Sequence, residues 1–512
     1  MSSLLDPGSV SPKPGSTVVA KSREASTPGT VSRRSVLAQK PLAAALALLF
    51  SSQASAATIL VDNASGGSVA GACTLRDAVT SANTHASAPA STCVAGDGSN
   101  DTLVFAAIVS DIVFATAATG KSSALAVTEN LTIDGSALIP GPARNVTIER
   151  SAAGGTPNFR LLESTADLTL KNLTIRNGNA VAQTGGAIKM SGASTLTISD
   201  SVIAGNHATG TVGGAIYAYN VNLTDSTLSG NQLTTAGGCG GGAITAAGTL
   251  TLLGSSVVGN TGTCLAIHGG AIYGVTVNLT NSTVSGNVGT STGGGTVAFG
   301  GGIYGKTVNL TNSTVSHNRV TAIGTSARGG GILTQGGTMT NSTISGNSSN
   351  GIGSGVYARS VISLYFCTIT QNSTTMAGAS AGLGLGSSNA STATASILYG
   401  NVGGSDVDGG YFVNTLAGDH NLVGSHGSKV TLMSAALNCD PKLGPLGDNG
   451  GPTATHGLLT GSCAVDAGLA SPTVLTDQRG DVRKVGTASD IGAFEKQGPG
   501  DPDLIFANGF DP

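Results

Sequence analysis

The middle of the chain repeats one short phrase at nearly regular intervals. The clearest copies read TVNLTNSTVSGN at residues 276–287 and TVNLTNSTVSHN at residues 307–318. A repeat of this size cannot bury its own apolar face, so successive copies must stack on one another. The asparagines that close the copies follow at steps of about 25 to 31 residues, a period typical of solenoids: Asn206, Asn231, Asn260, Asn287, Asn318, Asn347, Asn372 and Asn401.

Each repeat is predicted to form short β-strands, not helices. Val277, Leu279 and Val284 alternate with Asn, Thr and Ser side chains, and such alternation favours strands with one buried face. Glycine weakens a helix by about 1 kcal/mol per site relative to alanine, and here it recurs in pairs and triples. Because glycine and asparagine tolerate positive φ, we expect about three short strands per repeat, joined by corners rich in these two residues.

Two further rows appear when the repeats are aligned on their closing asparagines. Stacked turns would turn each row into a ladder with a spacing of about 4.8 Å. The pattern predicts an all-β fold, a right-handed parallel β-helix that resembles the solenoid of pectate lyases. Five residues before the asparagine stand Ser201, Ser226, Ser255, Ser282, Ser313, Ser342, Cys367 and Ser396. Six residues before it stand Asp200, Asp225, Gly254, Asn281, Asn312, Asn341, Phe366 and Ala395.

The composition supports a folded β-protein and limits its partners. Only 10% of the residues are charged and the net charge is −3. A disordered chain would be highly charged and poor in β-branched residues, whereas this chain is rich in Val, Ile and Thr. The region after the leader has no basic run, so binding to nucleic acid has no electrostatic support.

Residues 1–56 are predicted to be a secretory signal peptide with an extended N-terminal region. Arg33 and Arg34 precede an apolar run at residues 41–50. The small residues that follow favour cleavage between Ala56 and Ala57. The ordinary export route and the twin-arginine route both remain open. Neither this run nor any later stretch reaches the roughly 20 apolar residues of a membrane span, so we expect a mature chain without a transmembrane segment.

Export would allow the cysteines to form disulfides. Cys239 and Cys264 lie in the glycine-rich corners of adjacent repeats, where stacking would bring them within disulfide reach. Cys367 has no partner left and stands in the row of small residues, which favours a buried free thiol. The predicted pairs are Cys73 with Cys93, Cys239 with Cys264, and Cys439 with Cys463.

The ends of a solenoid must be covered, because each exposes apolar side chains and unpaired backbone. Near the N-terminus, CTLRDAVTSAN at residues 73–83 predicts an amphipathic helix with Thr74 and Asp77 as a capping box. This stretch, a second cysteine and the strand at residues 101–105 resemble the CSLREA-type domain of secreted β-helix proteins. Thr74 and Asp77 replace the Ser and Glu of that family. The predicted apolar face of the helix comprises Leu75, Ala78, Val79 and Ala82.

The C-terminal region carries three phrases, at residues 440–468, 476–483 and 490–495, that resemble the choice-of-anchor Q domain of bacterial surface proteins. Cys463 stands where that family usually has proline. Residues 503–512 resemble short tails of exported xanthomonad-type proteins, and the repeats resemble those of polymorphic outer-membrane proteins. These resemblances imply a β-helix passenger of a Gram-negative bacterium, extracellular or outer-membrane-associated. The predicted organisation is a signal peptide at 1–56, an N-terminal cap at 57–122, repeats at 123–405, a loop-rich C-terminal cap at 406–496 and a tail at 497–512.

Candidates for catalysis and metal binding are few. Glycoside hydrolysis needs paired carboxylates, and Asp200 and Asp225 are the best pair because they share one row on adjacent repeats. The alternative, that they are corner residues, is favoured. Asp97, Asn100 and Asp101 supply oxygens at the spacing of a calcium loop, but they lack its twelve-residue frame. A tight turn is therefore favoured there, and no cofactor is predicted, with calcium left open.

Other polar residues are interpreted as structural. Histidine ligands of a metal must converge, and the coil histidines His207, His268 and His317 do not, so we expect them to face solvent. The scattered Arg319, Arg328 and Arg359 are expected to be solvated. In the C-terminal region, ion pairs and turn caps are favoured over a binding site for Asp448, His456, Asp466, Asp477, Arg479 and Arg483.

Three functions follow as hypotheses. The first is a monomeric, non-enzymatic adhesin or structural passenger, whose partners would be surface glycans or proteins of host or neighbouring cells. The second is a carbohydrate-active enzyme, a lyase or a hydrolase, acting on extracellular polysaccharide. The third is binding to ice or another crystal surface, which is disfavoured because the outward threonine rows are mixed with Ser, Asn and Lys306.

Overall fold

The computed structural model describes residues 56–98, 100–137, 145–323, 327–410 and 412–498. The rest of the predicted signal peptide, residues 1–55, and the tail from residue 499 onward lie outside the described residues. Ala56 and Ala57, between which cleavage is predicted, lead into the first strand at Thr58.

Almost all described strands pair in parallel with a strand one turn away, and they form three long sheets. Sheet A, the largest, contributes either one long strand or two short strands to most turns. Its described strands are Thr58–Val61, Asp101–Phe105, Ser123–Val127, Leu131–Ala137, Arg160–Ser164, Leu168–Lys171, Ile188–Met190, Thr195–Ser199, Ile216–Ala218, Asn220–Thr224, Ile244–Leu253, Ile272–Thr280, Ile303–Thr311, Ile332–Thr340, Val356–Ala358, Ile362–Tyr365, Ser380–Leu385, Ser391–Thr394, Ser405–Asp408, Asn414–Ala417 and Val430–Leu432.

Sheets B and C form the other two sides of the stack. Sheet B contains Asp111–Phe114, Val146–Arg150, Leu173–Arg176, Val202–Ala204, Thr227–Ser229, Ser256–Val258, Thr283–Ser285, Thr314–Ser316, Thr343–Ser345, Thr368–Thr370, Ile397–Tyr399 and Leu422–Val423. Sheet C contains Asn179–Ala180, His207–Ala208, Gln232–Thr234, Thr261–Cys264, Val288–Ser291, Arg319–Thr321, Ser348–Ser349 and Ser373–Thr374. A short parallel sheet comprises Gly238–Gly240, Ala266–His268 and Ala298–Phe299.

The strand register confirms the predicted parallel β-helix. The two clearest repeats pair residue for residue, with Val277 opposite Val308 and Leu279 opposite Leu310. These side chains are at most 1% exposed, so the apolar positions of each turn cover those of the next. The stack extends beyond the predicted repeat region, because strands from Thr58–Val61 to Val430–Leu432 belong to sheet A.

The closing asparagines form a continuous buried ladder. Each amide oxygen accepts the backbone and side-chain amides of the asparagine one turn earlier, at 2.8 to 3.1 Å from Asn206 to Asn401. Each side-chain amide also donates to a carbonyl of the preceding turn, as Asn287 does to Val257 at 2.9 Å. The ladder satisfies polar groups that the corner would otherwise bury without partners.

The other two rows have separate tasks at their corner. Each serine hydroxyl accepts the backbone amide of its neighbour one turn earlier, as Ser282 does from Ser255 at 3.1 Å. The residues directly before the serines form the other row, from Asp200 to Ala395. They need a left-handed backbone, since all of them have φ between +46° and +58°. Asn, Asp and Gly tolerate this conformation best, which explains their frequency in the row.

The paired glycines form a second tight corner ahead of sheet A. Gly269 has φ +82°, a conformation that favours glycine. A Cβ at Gly270 would overlap the carbonyl oxygen of Gly301 and lie 2.6 Å from the amide nitrogen of Gly289. The backbones of adjacent turns therefore approach too closely here for any other residue.

The N-terminal end is covered as predicted by a helix, Leu75–Thr84. The Thr74 hydroxyl oxygen accepts the Asp77 amide at 3.2 Å and donates to the Asp77 carboxylate at 2.7 Å, so Thr74 is the N-cap, while Asp77 binds its hydroxyl and not its backbone amide as in a full capping box. The Cys73–Cys93 disulfide ties the start of this region to its following loop. The predicted apolar face of the helix is buried: Leu75, Ala78, Val79 and Ala82.

Of the predicted C-terminal cap at residues 406–496, the first part still contributes strands to the stack, up to Val430–Leu432, and the segment at residues 439–497, here called the clasp, is loop-rich. The Cys439–Cys463 disulfide and two antiparallel strands, Leu443–Gly447 and Thr455–Leu458, lie within it. The clasp packs along the flank of the stack, against the outer face of sheet B. It does so because the outward hydroxyls of Thr314, Thr343 and Thr368 bond to its backbone and to Gln478.

Candidate functional site

Asp200 and Asp225 lie on adjacent turns, as their shared row predicts, because Ser199 pairs with Thr224 just before them. Both are exposed and both have left-handed φ, +50° and +46°. The Asp225 carboxylate lies against Gly254, its equivalent one turn on. Neither carboxylate is paired with a basic side chain among the residues described here. The catalytic pair stays a prediction.

The calcium candidates lie at the turn before the strand Asp101–Phe105. The carboxylate of Asp101 is buried and accepts the backbone amides of Ala57 and Asp97 at 3.0 and 3.2 Å. Asn100 has a left-handed φ of +74°. In the described parts of the chain, no group of three or more His, Cys, Asp or Glu side chains is arranged to hold a metal ion. Calcium binding stays a prediction.

The polar residues of the clasp act as ion pairs and turn caps. Asp477 is buried, accepts the Arg479 guanidinium at 2.9 Å and also accepts the backbone amides of Arg479 and Asp481. Two others attach the clasp to sheet B. Arg483 donates to the side-chain oxygen of Asn341 at 2.6 Å, and Ser345 bonds to His456 at 2.8 Å.

Asp448 and Asp466 cap turns within the clasp, by accepting the amides of Gly450 and Ala488. The pKa of His456 is lowered, first by burial. Its Nδ1 lies 2.7 Å from the Gly444 carbonyl oxygen, so Nδ1 carries the proton and Nε2 accepts from Ser345. Each of these six side chains therefore has a partner within the protein.

Another group of residues, which the sequence analysis did not bring together, forms a surface of aromatic rings. The motif X-G-G-x-I-Y places two side chains of each turn on either side of the glycine corner, five residues apart. His268 and Phe299 pair in the row before the corner, and Tyr273 and Tyr304 pair in the row after it. We call this surface, together with Tyr357, the aromatic shelf.

Four rings of the aromatic shelf, those of His268, Tyr273, Phe299 and Tyr304, are in mutual contact. Tyr273 and Tyr304 stack with their centroids 5.4 Å apart, and Phe299 and Tyr304 stack at 6.0 Å. His268 meets Phe299 and Tyr304 edge-on at 5.4 and 5.3 Å. Tyr273, Tyr304 and His268 remain partly exposed, whereas Phe299 and Tyr357 are each only 5% exposed and support the surface from below. The shelf therefore presents flat, rigid faces that are held by one another before any ligand binds.

Two arginines lie over these rings. The Arg359 guanidinium is 4.5 Å from the ring centroid of Phe299, and the Arg328 guanidinium is 5.3 Å from that of Tyr357. A cation over an aromatic face is attracted by the ring quadrupole. Both side chains are partly exposed, so their donor groups remain accessible at the surface.

A depression of 230 Å³ adjoins the shelf. In the turn before His268 and Tyr273, the equivalent positions hold the small residues Gly240 and Thr245. One turn earlier, the same positions hold the larger Val212 and Tyr217. The small side chains of the middle turn leave the depression. Its lining comprises Thr211, Val212, Gly238, Cys239, Gly240, His268 and Tyr273. The predicted Cys239–Cys264 disulfide forms directly at this position and links two neighbouring turns.

The expectation that His268 faces solvent was wrong, and Arg328 and Arg359, expected to be scattered, lie together beside it. His268 packs among aromatic rings, and its pKa is lowered first by burial and further by the charge of Arg359. The two arginines are partly exposed, and each lies over an aromatic ring. The sequence carries one signal that could have predicted this group. The residue before each glycine pair and the residue five positions later flank the same corner and therefore lie close together. His317 is exposed, as expected.

The strand pairing defines a parallel β-helix protein. No family model matches the chain, and neither does any curated protein. A crystal structure of pectate lyase Pel9A is similar, with a TM-score of 0.39 and 12% identity over 86% of this chain and 98% of that chain. The resemblances to the CSLREA and choice-of-anchor Q domains stay predictions. Within the described residues, no helix has the length and hydrophobicity needed to cross a membrane.

Proposed function

We propose that this protein is exported to the cell surface, where it binds extracellular carbohydrate through the aromatic shelf without transforming it. The observation that carries the proposal is the stacked, partly exposed pair Tyr273 and Tyr304, beside Phe299 and His268. The CH groups on one face of a sugar ring are apolar and pack on aromatic faces, while a tyrosine hydroxyl at the edge of the ring can make polar contacts. Adhesion follows when the bound glycan belongs to another cell or to the surrounding matrix.

Rigidity supports binding at this surface. The shelf rests on the in-register strands Ile272–Thr280 and Ile303–Thr311, and the disulfide Cys239–Cys264 links turns beside it. Binding to a surface that is already ordered loses little conformational entropy. Such a surface suits a repeating ligand, because the stack offers similar positions about every 4.8 Å.

A direct test is the binding of the purified protein to an array of polysaccharides and oligosaccharides. Replacement of Tyr273 and Tyr304 by alanine is expected to reduce binding at least tenfold. Tyr365→Ala is the matched control, because Tyr365 is a tyrosine of sheet A, 38% exposed, outside the shelf. Equal binding by the double variant and the wild type would rule out the shelf as the binding surface.

A carbohydrate-active enzyme remains the second candidate, on one observation: Asp200 and Asp225 occupy adjacent turns with exposed carboxylates. The assay incubates the protein with acidic polysaccharides and calcium and follows both reducing ends and unsaturated products. Turnover by the wild type that disappears in an Asp200→Ala, Asp225→Ala double variant would favour the enzyme over the adhesin. No turnover is expected.

Export is tested separately by the N-terminus of the protein recovered from outside the cytoplasm. The proposal expects it to begin at Ala57. Recovery of the intact chain from the cytoplasm alone would contradict the exported location, whatever the shelf binds.

A further inference from the structure

We propose that the aromatic shelf selects carbohydrates that carry carboxylate groups, and that Arg328 and Arg359 bind those carboxylates. This inference rests on the proposed carbohydrate binding and adds the chemical class of the ligand. Two guanidinium groups lie at one surface, and neither has an acidic partner among the described residues.

Six of the nine described arginines have a hydrogen-bond or ion-pair acceptor within the described residues, and Arg319, Arg328 and Arg359 have none. Arg160, Arg176, Arg479 and Arg483 all lie near carboxylates, at 2.7 to 3.8 Å. By contrast, the side chains of Arg328 and Arg359 neither pair with a carboxylate nor donate a hydrogen bond to any residue that the structure describes. A guanidinium carries five donors, so these two have unused capacity for an external acceptor.

Stacking positions the arginines for this role. Phe299 and Tyr357 lie beneath the guanidinium groups of Arg359 and Arg328, whose central carbons are 4.5 and 5.3 Å from the ring centroids. A planar fork held in this way loses less entropy when it forms hydrogen bonds. A carboxylate matches the fork with two parallel bonds. The partly exposed tyrosine rings and the arginines therefore form one surface, in which Tyr273 and Tyr304 contact the sugar and the forks contact its acid group.

The local charge also favours an anion. His268 stays neutral near pH 7, because burial and the nearby Arg359 lower its pKa. The row of Tyr357 continues through Gly384 to Asp408 two turns on. That acidic residue is only 9% exposed and accepts the amide of Gly410. The shelf thus carries positive charge on a protein whose net charge is −3.

The order of the rows predicts the direction of the ligand. Tyr273, Tyr304 and Leu333 occupy successive turns, and Tyr357 occupies the next. Across the glycine corner, His268, Phe299 and Arg328 follow in the same order. A linear glycan that lies parallel to the stack axis would therefore meet stacking rings first and arginines one or two turns later.

The test compares matched ligands that differ only in the carboxylate. Oligosaccharides of glucuronic acid and of glucose, with the same linkage and length, are titrated against the purified protein in the presence of EDTA. EDTA removes calcium bridges between carboxylates. The wild type is expected to bind the acidic member at least tenfold more tightly. An Arg328→Gln, Arg359→Gln double variant is expected to lose this preference while it retains binding to the neutral member. Arg319→Gln, at an exposed arginine of sheet C, is expected to bind like the wild type.

The outcomes separate the two proposals. Equal binding of both members by the wild type overturns carboxylate selection but leaves carbohydrate binding intact. Binding to no carbohydrate on the array overturns the proposed function itself. A sulfated glucan of equal charge density serves as a further probe. Equally tight binding of that probe shows attraction to any polyanion, and it likewise overturns selection of carboxylates.

Discussion

The side-chain amide of Asn287 donates a hydrogen bond to the side-chain oxygen of Asn318, at 2.8 Å, one turn further along the stack. Both side chains are fully buried. The same contact recurs from turn to turn, so the ladder acts as a polar spine inside a corner that has no access to water.

Removal of one rung should destabilise the whole stack. In Asn287→Ala, the backbone and side-chain amides of Asn260 lose their shared acceptor, and the Val257 carbonyl loses a donor. Each buried group left without a partner costs about 1 to 3 kcal/mol. We expect a loss of at least about 3 kcal/mol in the free energy of unfolding, measured by chemical denaturation. The exposed Asn222 is the control, and a comparable loss in Asn222→Ala would refute this role of the ladder.

The glycine corner should reject even a single methyl group. In Gly270→Ala, the new Cβ would overlap the carbonyl oxygen of Gly301 and crowd the amide of Gly289. We expect little folded protein, seen as a lower melting temperature or loss of soluble material. Gly294→Ala is the control, since nothing lies within 4 Å of a Cβ there. A stable Gly270→Ala protein would show that adjacent turns can separate.

Cys367 occupies a serine position of its row, and two variants test that equivalence. Burial raises the pKa of its thiol to about 12, so it stays protonated. Its sulfur accepts the Ser342 amide and lies 3.2 Å from the Met339 carbonyl oxygen. Cys367→Ser keeps both contacts, and we expect a stability change within about 1 kcal/mol. Cys367→Val leaves the Ser342 amide without an acceptor and should cost about 1 to 3 kcal/mol. Equal stability of the two variants in thermal denaturation would contradict this account.

The attachment of the clasp should weaken as the pH rises. Burial raises the pKa of Glu495 to about 8, above its ordinary value of 4.5. A raised carboxyl pKa means that the attached clasp holds a proton that the detached segment releases. The stabilisation is therefore complete below about pH 4.5 and is lost progressively up to about pH 8.

Hydrogen exchange of the backbone amides at residues 477–495, corrected for intrinsic rates, measures this effect. Between about pH 7 and pH 8, clasp opening should increase by up to tenfold per pH unit. His456 stays neutral in this range, because its pKa is lowered. Glu495→Gln should remove the dependence. A pH dependence that persists in the variant would assign the effect to another group.

The sequence by itself determined the stack. The asparagine, serine and positive-φ rows each follow from the register of one repeat, because a solenoid places equivalent residues of consecutive turns next to each other. The disulfide between Cys239 and Cys264 could be predicted for the same reason. The helix Leu75–Thr84 could be predicted from its local spacing and its capping residues.

Only the tertiary structure decided which parts of this repetitive surface are special. STVS occurs twice, at residues 282–285 and 313–316, yet Thr283 is partly exposed while Thr314 is buried beneath the clasp. Nothing within the repeat distinguishes the two copies, because the difference comes from a segment about 140 residues later, whose Ala454 carbonyl accepts the Thr314 hydroxyl. The aromatic shelf likewise joins His268 to Arg359 across several turns. Its contacts depend on how long side chains lean over neighbouring turns, and a one-dimensional pattern does not specify that.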